Sequence, residues 1–520
     1  MELKELREEI DRIDDEMVRL FLRRMDIAGQ IADYKKANGL PVFIPTREQE
    51  KLADVAEKAG PKMAEFIQGL YTTIFTLSRE FQNIRIESSV SEEGFIPPEY
   101  RAKYGLLGQK LSHSYSPIIH GFLGNYSYSL FEREQDELEE FLKQGEFNGI
   151  NVTIPYKKAV IPYLDELSPV AAKLGAVNTI IRKSDGTLLG HNTDYFGFHS
   201  LLQHTELNVT GKKVLVLGSG GASHTAVAVL KELGANVIVI SRTGENNYEN
   251  LSLHSDAAVI VNATPVGMYS FVEITAAGVL SHVERSPLAL DIFPKLEGVL
   301  DLVYNPARTK LLRDAEARGI LWENGLWMLV AQAKEAAEYF TGHIISDSVI
   351  MDIHQKLSKQ MQNLILIGMP GCGKTTVGKI LAEKTARNFL DSDMLIAAKT
   401  GKSIPEIFAA DGVAAFRRLE TDILRTAASQ SGNVVSTGGG CVTEDRNYPL
   451  LHQNGIIIWL KRDLSLLSTE GRPLSNPDSL QQMYLLREPL YARFADYVVD
   501  NNGRPEETVA AILAILEELP

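Results

Sequence analysis

Lys374 and Thr375 end a Gly-x-x-x-x-Gly-Lys-Thr run, Gly368-Met369-Pro370-Gly371-Cys372-Gly373-Lys374-Thr375, entered from the apolar stretch Leu364-Ile365-Leu366-Ile367. A β-favouring run, a glycine loop and a helical pattern in that order let backbone N–H groups converge on phosphate oxygens at the helix's positive end. Lys374 is then placed for the outer phosphates and the Thr375 hydroxyl for Mg2+, with Gly371, Cys372, Gly373 and Thr376 completing the cradle. A chance glycine-rich turn would give no reason for the strand and helix patterns on either side. This is a nucleotide site, and the motif alone leaves the phosphate acceptor open.

A second glycine turn, Gly218-Ser219-Gly220-Gly221-Ala222-Ser223, follows Val214-Leu215-Val216-Leu217. It is of the dinucleotide-binding type, although Ser223 stands where the usual fingerprint has its third glycine. The next apolar run ends in Ser241-Arg242-Thr243. An acid there would take the ribose hydroxyls of NAD, whereas Arg242 suits the 2′-phosphate of NADP. Upstream lie Ser112-His113-Ser114-Tyr115-Ser116-Pro117, Asn151-Val152-Thr153-Ile154-Pro155-Tyr156-Lys157 and Gly190-His191-Asn192-Thr193-Asp194, with Asn178 between the last two. Hydroxyls, amides and one lysine–aspartate pair are what a small polyhydroxy acid requires. For His113, His120 and His191 the reading is structural, since no second ligand stands at metal spacing.

Near the N-terminus, Leu3, Leu6, Ile10, Ile13, Met17 and Leu20 step by three and four, and Ile27, Ile31 and Tyr34 resume the stripe beyond Arg24. A charge on a buried stripe is costly unless it is paired or meets a ligand. Lys35 follows Arg24 by about three helical turns and shares its face. Arg24 is either a register-setting polar residue or a ligand contact, and spacing leaves both open.

The elements that hold these groups fall into three textures. A chain of 520 residues is too long for one core and suggests three or four domains. The predicted fold is multidomain: an all-α region over 1–88, a polar linker over 89–103, an α/β region over 104–356, a second joint over 357–362, and another α/β region with a parallel sheet over 363–520. The net charge of −14 argues against nucleic acid or anionic membranes as partners. Cys372 and Cys441 offer no disulfide framework or metal spacing, and neither a signal core nor a spanning apolar run is apparent, so a reducing cytoplasm is expected.

The first region resembles the helical class of chorismate mutases through Leu6-Arg7-Glu8-Glu9-Ile10-Asp11, Arg23-Arg24-Met25, Lys35, Arg47-Glu48 and Gln82. The resemblance implies a homodimer of intertwined helices. It implies that Arg7, Arg24 and Arg47 grip the two carboxylates of chorismate and that Glu48 holds the ring hydroxyl. Lys35 and Gln82 would stabilise charge growing on the ether oxygen. Ile44 departs from the pattern, since many relatives carry aspartate there.

Residues 104–353 resemble shikimate dehydrogenase, adding Asn262-Ala263-Thr264-Pro265, Asp301-Leu302-Val303-Tyr304 and Gly325-Leu326-Trp327-Met328-Leu329-Val330-Ala331-Gln332 to the clusters above. A substrate lobe over about 104–205 and a Rossmann lobe over about 206–325 are implied, with the C-terminal helices returning to the first. By resemblance Ser114, Ser116, Thr153, Asn178, Asp194, Tyr304 and Gln332 bind 3-dehydroshikimate, and Lys157 with Asp194 is the catalytic pair. Gly218, Ser219, Gly220, Gly221, Ala222, Ser241, Arg242, Thr243 and Gly325 would hold NADP(H).

The last region resembles shikimate kinase through its P-loop, Asp391-Ser392-Asp393, Phe416-Arg417-Arg418-Leu419-Glu420, Gly438-Gly439-Gly440 and Arg487-Glu488-Pro489-Leu490-Tyr491. That implies ATP and Mg2+, with Thr375 and Asp391 at the metal and Asp393 at the acceptor hydroxyl. Arg417 and Arg487 would clamp the shikimate carboxylate beside Gly438, Gly439 and Gly440. Arg472 resembles the lid arginine, and Arg504 lies in the adenine-side loop. The lid, Leu467-Ser468-Thr469-Glu470-Gly471, is short and lacks a second arginine.

The expected whole is a fused enzyme with all three activities, acting on 3-dehydroshikimate, shikimate and chorismate. One alternative keeps the N-terminal helices as a dimerising or chorismate-sensing module. Others make the P-loop region a nucleotide-binding regulator or add quinate as a dehydrogenase substrate.

Overall fold

The computed structural model describes residues 3–37, 45–60, 63–64, 67–71, 74–75, 78, 82, 103–111, 114–124, 126–268, 273–274, 280–281, 286–467 and 477–518. The chain divides into two compact units, Met1–Arg101 and Ala102–Pro520. The expected linker at 89–103 lies outside the described residues apart from Lys103.

In the first unit a helix of 35 residues, Leu3–Ala37, is followed by Pro45–Ala59. Proline suits a first helical position because its missing N–H would find no intrahelical partner there. The long helix buries Ala28 and Ala32, while Ile10, Ile13, Met17, Leu20, Ile27, Ile31 and Tyr34 stand exposed. The apolar stripe expected to act as a helix seam is thus uncovered within the single chain. Arg24 is half-buried on the Ala28 side, where small residues let a neighbouring segment approach.

The second unit begins with β1 (Lys103–Gly108), β2 (Ser127–Glu132), β3 (Gly149–Val152), β4 (Glu166–Leu167), β5 (Thr179–Arg182) and β6 (Leu188–His191). They form one sheet ordered β2-β1-β3-β5-β6-β4, in which β5 runs antiparallel to both neighbours. Next come β7 (Lys213–Leu217), β8 (Asn236–Ile240), β9 (Val259–Asn262), a short hairpin β10 (Glu273–Ile274) and β11 (Leu280–Ser281), β12 (Gly298–Asp301) and β13 (Leu321–Asn324). Strands β13-β12-β9-β7-β8 make a five-stranded parallel sheet, and the apolar runs of its inner strands β12, β9 and β7 follow from burial on both faces. The helix Leu326–Thr341 then returns to the first lobe, where the Tyr104 hydroxyl donates to the Phe340 carbonyl.

The joint expected at 357–362 is not a loop. Ser348–Met361 is helical, and Ile350, Ile353, Leu357 and Met361, spaced by three and four, sit in the same core as Trp327 and Leu201. The polar residues that suggested a linker are the helix's outer face. One residue later β14 (Asn363–Ile367) starts the last sheet, completed by β15 (Asn388–Asp391), β16 (Asn433–Ser436), β17 (Gly455–Lys461) and β18 (Tyr497–Asp500). Its order is β15-β16-β14-β17-β18, all parallel, so the loop after β14 emerges where the strand order reverses.

Candidate functional sites

In the first lobe Lys157 Nζ lies 2.6 Å from Asp194 Oδ2. Asp194 opens the helix Asp194–His204, where a carboxylate is favoured by the helix's positive end. Thr193 before it is locked to Asn178: its N–H donates to Asn178 Oδ1 at 2.7 Å, and Asn178 Nδ2 donates to its Oγ1 at 3.0 Å. Gln332 reaches the same hydroxyl at 3.4 Å from the returning helix. The Lys157–Asp194 pair therefore sits next in the chain to a Thr193-centred network that holds Asn178 and Gln332. Asn151 extends it, with its Nδ2 on Thr179 at 3.1 Å and its Oδ1 accepting from the Tyr128 hydroxyl at 2.7 Å.

Ser114 accepts from the Ser116 N–H at 3.2 Å at the start of the helix Ser116–Leu123, and Tyr304 meets Tyr115 edge-on at 6.1 Å. The Thr153 methyl packs where Gly108 leaves room. Ser112 and His113 lie outside the described residues. His120 is buried and stacked on Tyr128 at 4.0 Å, and burial pushes its imidazole down to about 3. It is a neutral ring under physiological conditions. His191 stacks on Tyr339 at 3.9 Å.

At the carboxyl end of β7, Gly218 has φ +104°, a conformation glycine adopts without Cβ strain. Gly220 begins the helix Gly221–Glu232, and a Cβ on Gly220 or Gly221 would stand in open space. The buried Ser223 hydroxyl donates to the Gly218 carbonyl at 2.6 Å, which braces the turn from the position of the missing glycine. Ser219 and Ala222 fall within this turn and helix start, while Ser241, Arg242 and Thr243 follow β8 with Arg242 exposed. Backbone N–H groups at a helix start and a free guanidinium after the second strand fit a dinucleotide carrying a 2′-phosphate. Gly325 packs its Cα against the backbone of Leu302, beside the Tyr304 loop.

In the last sheet, Lys374 Nζ is buried and donates to the carbonyls of Gly368 and Met369 at 2.9 and 3.0 Å. The Thr375 hydroxyl donates to Asp391 Oδ2 at 2.8 Å. A hydroxyl beside a carboxylate is an oxygen donor pair suited to Mg2+. Asp391 also caps the helix Ser392–Thr400 through the N–H groups of Asp393 and Met394. Gly371, Cys372, Gly373 and Thr376 complete the loop and the first turn of Lys374–Thr385.

Asp393 and Glu420 both crowd Gly438, the Arg417 guanidinium covers Gly440, and Arg487 Nη1 donates to the Gly439 carbonyl at 3.1 Å. Arg417 pairs with Glu420 at 2.6 Å. Glu420 is fully buried, and burial pushes its carboxyl up to about 7 against the pull of Arg417. Sequence spacing did not single it out. The Ser392 hydroxyl, also unassigned, accepts from the Gly438 N–H at 2.9 Å. Arg504 stands apart, exposed and paired with Glu507, while Asn501 ties this loop to the Cys372 carbonyl. Arg472 lies outside the described residues.

In the first unit Arg24 donates to the Ser78 hydroxyl, its guanidinium lies 5.7 Å from the Phe75 ring centre, and Lys35 Nζ donates to Gln82 Oε1 at 3.2 Å. Gln82 lies four positions after Ser78, the spacing that sets two helical residues on one face. The side chains of Arg7, Arg47 and Glu48 lie outside the described residues, as does Ile44.

Three families match successive parts of the chain: chorismate mutase type II over residues 6–83, the shikimate dehydrogenase substrate binding domain over 106–180, and shikimate kinase over 370–517. Shikimate dehydrogenase (NADP(+)) from Clostridium perfringens is 35% identical over 276 residues, 49% of this chain and 97% of that protein. The Bacillus cereus enzyme of the same name is 38% identical over 256 residues, covering 46% and 92%. A chorismate mutase/shikimate 5-dehydrogenase fusion protein from Clostridium acetobutylicum is 35% identical, covering 49% of this chain and 97% of that one with TM-score 0.45. Among the described residues no helix is long and apolar enough to cross a membrane. Since nearly the whole of such dehydrogenases aligns with its middle, the chain belongs to the shikimate dehydrogenase family, and it joins that fold to a chorismate mutase type II domain before it and a shikimate kinase domain after it.

Proposed function

We propose that the chain reduces 3-dehydroshikimate to shikimate with NADPH, phosphorylates shikimate with Mg·ATP, and rearranges chorismate to prephenate. The observation that carries the first activity is the Lys157–Asp194 pair at 2.6 Å, held by the Asn178–Thr193 lock. NADPH, when bound, supplies the hydride. Lys157 gives its proton to the oxygen on which charge develops, and Asp194 holds the Lys157 amine in place. Asn178, Gln332 and Tyr304 fix the ring hydroxyls and carboxylate, with Ser114, Ser116 and Thr153 closing the polar wall.

For the second activity Arg417 and Arg487 hold the carboxylate of shikimate and Asp393 orients the accepting hydroxyl. Lys374 balances charge on the transferring group, and Arg472 does so from the lid. Mg·ATP supplies the phosphoryl group, with Thr375 and Asp391 as its oxygen partners. For the third, Arg24, Lys35 and Gln82 present cations and an amide to a dicarboxylate whose rearrangement needs no cofactor. Arg7, Arg47 and Glu48 complete that pocket, and two copies of the long exposed stripe pair to form a homodimer. The buried free thiols of Cys372 and Cys441 suit a reducing cytoplasm.

Purified protein given 3-dehydroshikimate, NADPH and Mg·ATP should form shikimate 3-phosphate, and given chorismate alone should form prephenate. Lys157→Met should lower dehydrogenase kcat about 10²–10⁴-fold, the range for losing a positioned acid, while kinase turnover of added shikimate is unchanged. Equal activity in the variant would remove Lys157 from the mechanism.

A further inference from the structure

The loop between β12 and the helix Lys310–Glu316 has two faces. One carries Tyr304, edge-on to Tyr115 at the substrate lobe. The other touches the kinase domain. The backbone N–H of Arg308 donates to the Gln453 carbonyl at 2.8 Å, and that of Ala307 to Asn454 Oδ1 at 3.4 Å. Arg308 Nη1 donates to the His452 carbonyl at 3.1 Å, and Arg313 Nη1 to the Pro449 carbonyl at 3.3 Å. His452 Nε2 lies 3.1 Å from Glu316 Oε2. His452, Gln453 and Asn454 are all buried.

Asn454 is no loose surface residue. It sits at the entry to β17, its carbonyl accepts from the Asn363 N–H at 2.9 Å, and Asn363 begins the strand that ends in the P-loop. On the dehydrogenase side the loop is pinned by Asp301, whose carboxylate accepts from the Val303 N–H at 3.1 Å and the Thr309 hydroxyl at 2.6 Å. Asn324 Nδ2 holds the Ala307 carbonyl at 3.1 Å. Between these anchors, the N–H groups of Ala307 and Arg308 have the kinase as their partner. Ala307 and Arg308 are partly buried against the kinase, whose carbonyl and amide oxygens fix the direction of these two N–H groups where water would leave it free.

We propose that the kinase domain is a positioning element of the dehydrogenase site: its Pro449, His452, Gln453 and Asn454 turn holds the 303–309 loop, and through it Tyr304, in the geometry that receives the substrate. The inference rests on the dehydrogenase reading above. Arg308 and His452 are positioning residues that act through Tyr304.

The test uses full-length wild type, Arg308→Ala, His452→Ala and His452→Gln, the last keeping a donor toward Glu316. Amide hydrogen exchange reports on residues 302–308 directly, and shikimate oxidation with NADP+ reports on the site. Both alanine variants should raise exchange in this loop about tenfold and KM for shikimate about fivefold, with dehydrogenase kcat and kinase KM for ATP within twofold of wild type. His452→Gln should restore both values. Unchanged exchange and KM in both alanine variants would overturn the proposal, as would a parallel loss of both activities. Should wild type fail to oxidise shikimate while loop exchange still responds to the variants, the coupling stands and the dehydrogenase reading falls.

Discussion

Glu420 shows how burial gives a residue a role that its spacing hides. Glu420 follows Arg417 by three residues on a long helix, and sequence alone assigns it no role of its own. In the fold it is fully buried, touches Gly438 and holds Arg417 over Gly440. Its proton is retained to about 7 in the folded chain, against about 4.5 when unfolded. A raised carboxyl stabilises the folded state fully below the unfolded value, and that contribution is lost as pH rises through the folded one. Between pH 4.5 and 7 this one group therefore lowers stability by at most about 1.4 kcal/mol per pH unit. Glu420→Gln should flatten the fall, seen as a smaller drop in melting temperature between pH 5 and 7.5. The same variant frees Arg417 from its charged partner, so KM for shikimate in the kinase reaction should rise about tenfold. A steeper pH dependence, or an unchanged KM, would contradict these roles.

Among elements, the glycine turns were legible because phosphate cradles need backbone N–H groups and positive φ, which sequence displays as glycine. Thr375 meets Asp391 while Lys374 turns onto the Gly368 and Met369 carbonyls of its own loop, contacts local to strand ends. What escaped depends on the third dimension. Ser223 looked like a weakened fingerprint, yet its hydroxyl replaces close helix packing with a bond to the Gly218 carbonyl. Ser223→Ala should therefore weaken the turn by about 1 kcal/mol, the net worth of one hydrogen bond. KM for NADP+ should rise severalfold with KM for shikimate steady, and equal KM values for NADP+ would show the hydroxyl to be idle. The helix Ser348–Met361 was missed for the opposite reason. Its outer face is polar enough to pass for a linker, and its stripe of Ile350, Ile353, Leu357 and Met361 is only four residues deep. Thr193 and Asn151 were visible within their clusters, but their roles in locking Asn178 emerge only when β3, β5 and the helix Asp194–His204 are brought together.

For the whole molecule the open question is what covers the apolar stripe of the long N-terminal helix. Ile10, Ile13, Met17, Leu20, Ile27 and Ile31 are each about half exposed, with Leu20 at 59%. Monomeric soluble proteins rarely leave so contiguous an apolar surface in water. Its spacing by three and four suits the seam of a helix pair, and the proposed homodimer would cover it with a second copy. Arg24 and Lys35 lie along the same face as the stripe and reach Ser78 and Gln82 within the unit, so a partner laid on the stripe would border the cationic pocket. Leu20→Lys places a charge in the seam, where it would be buried twice by symmetry. Light scattering should then report a dimer of the 520-residue wild type and a monomer of the variant. Prephenate formation should fall at least tenfold with the dimer, while dehydrogenase and kinase turnover, housed in the other unit, stay within twofold. A monomeric wild type would end the dimer proposal. A dimeric wild type whose monomeric variant keeps full mutase turnover would show that each pocket is complete within one chain.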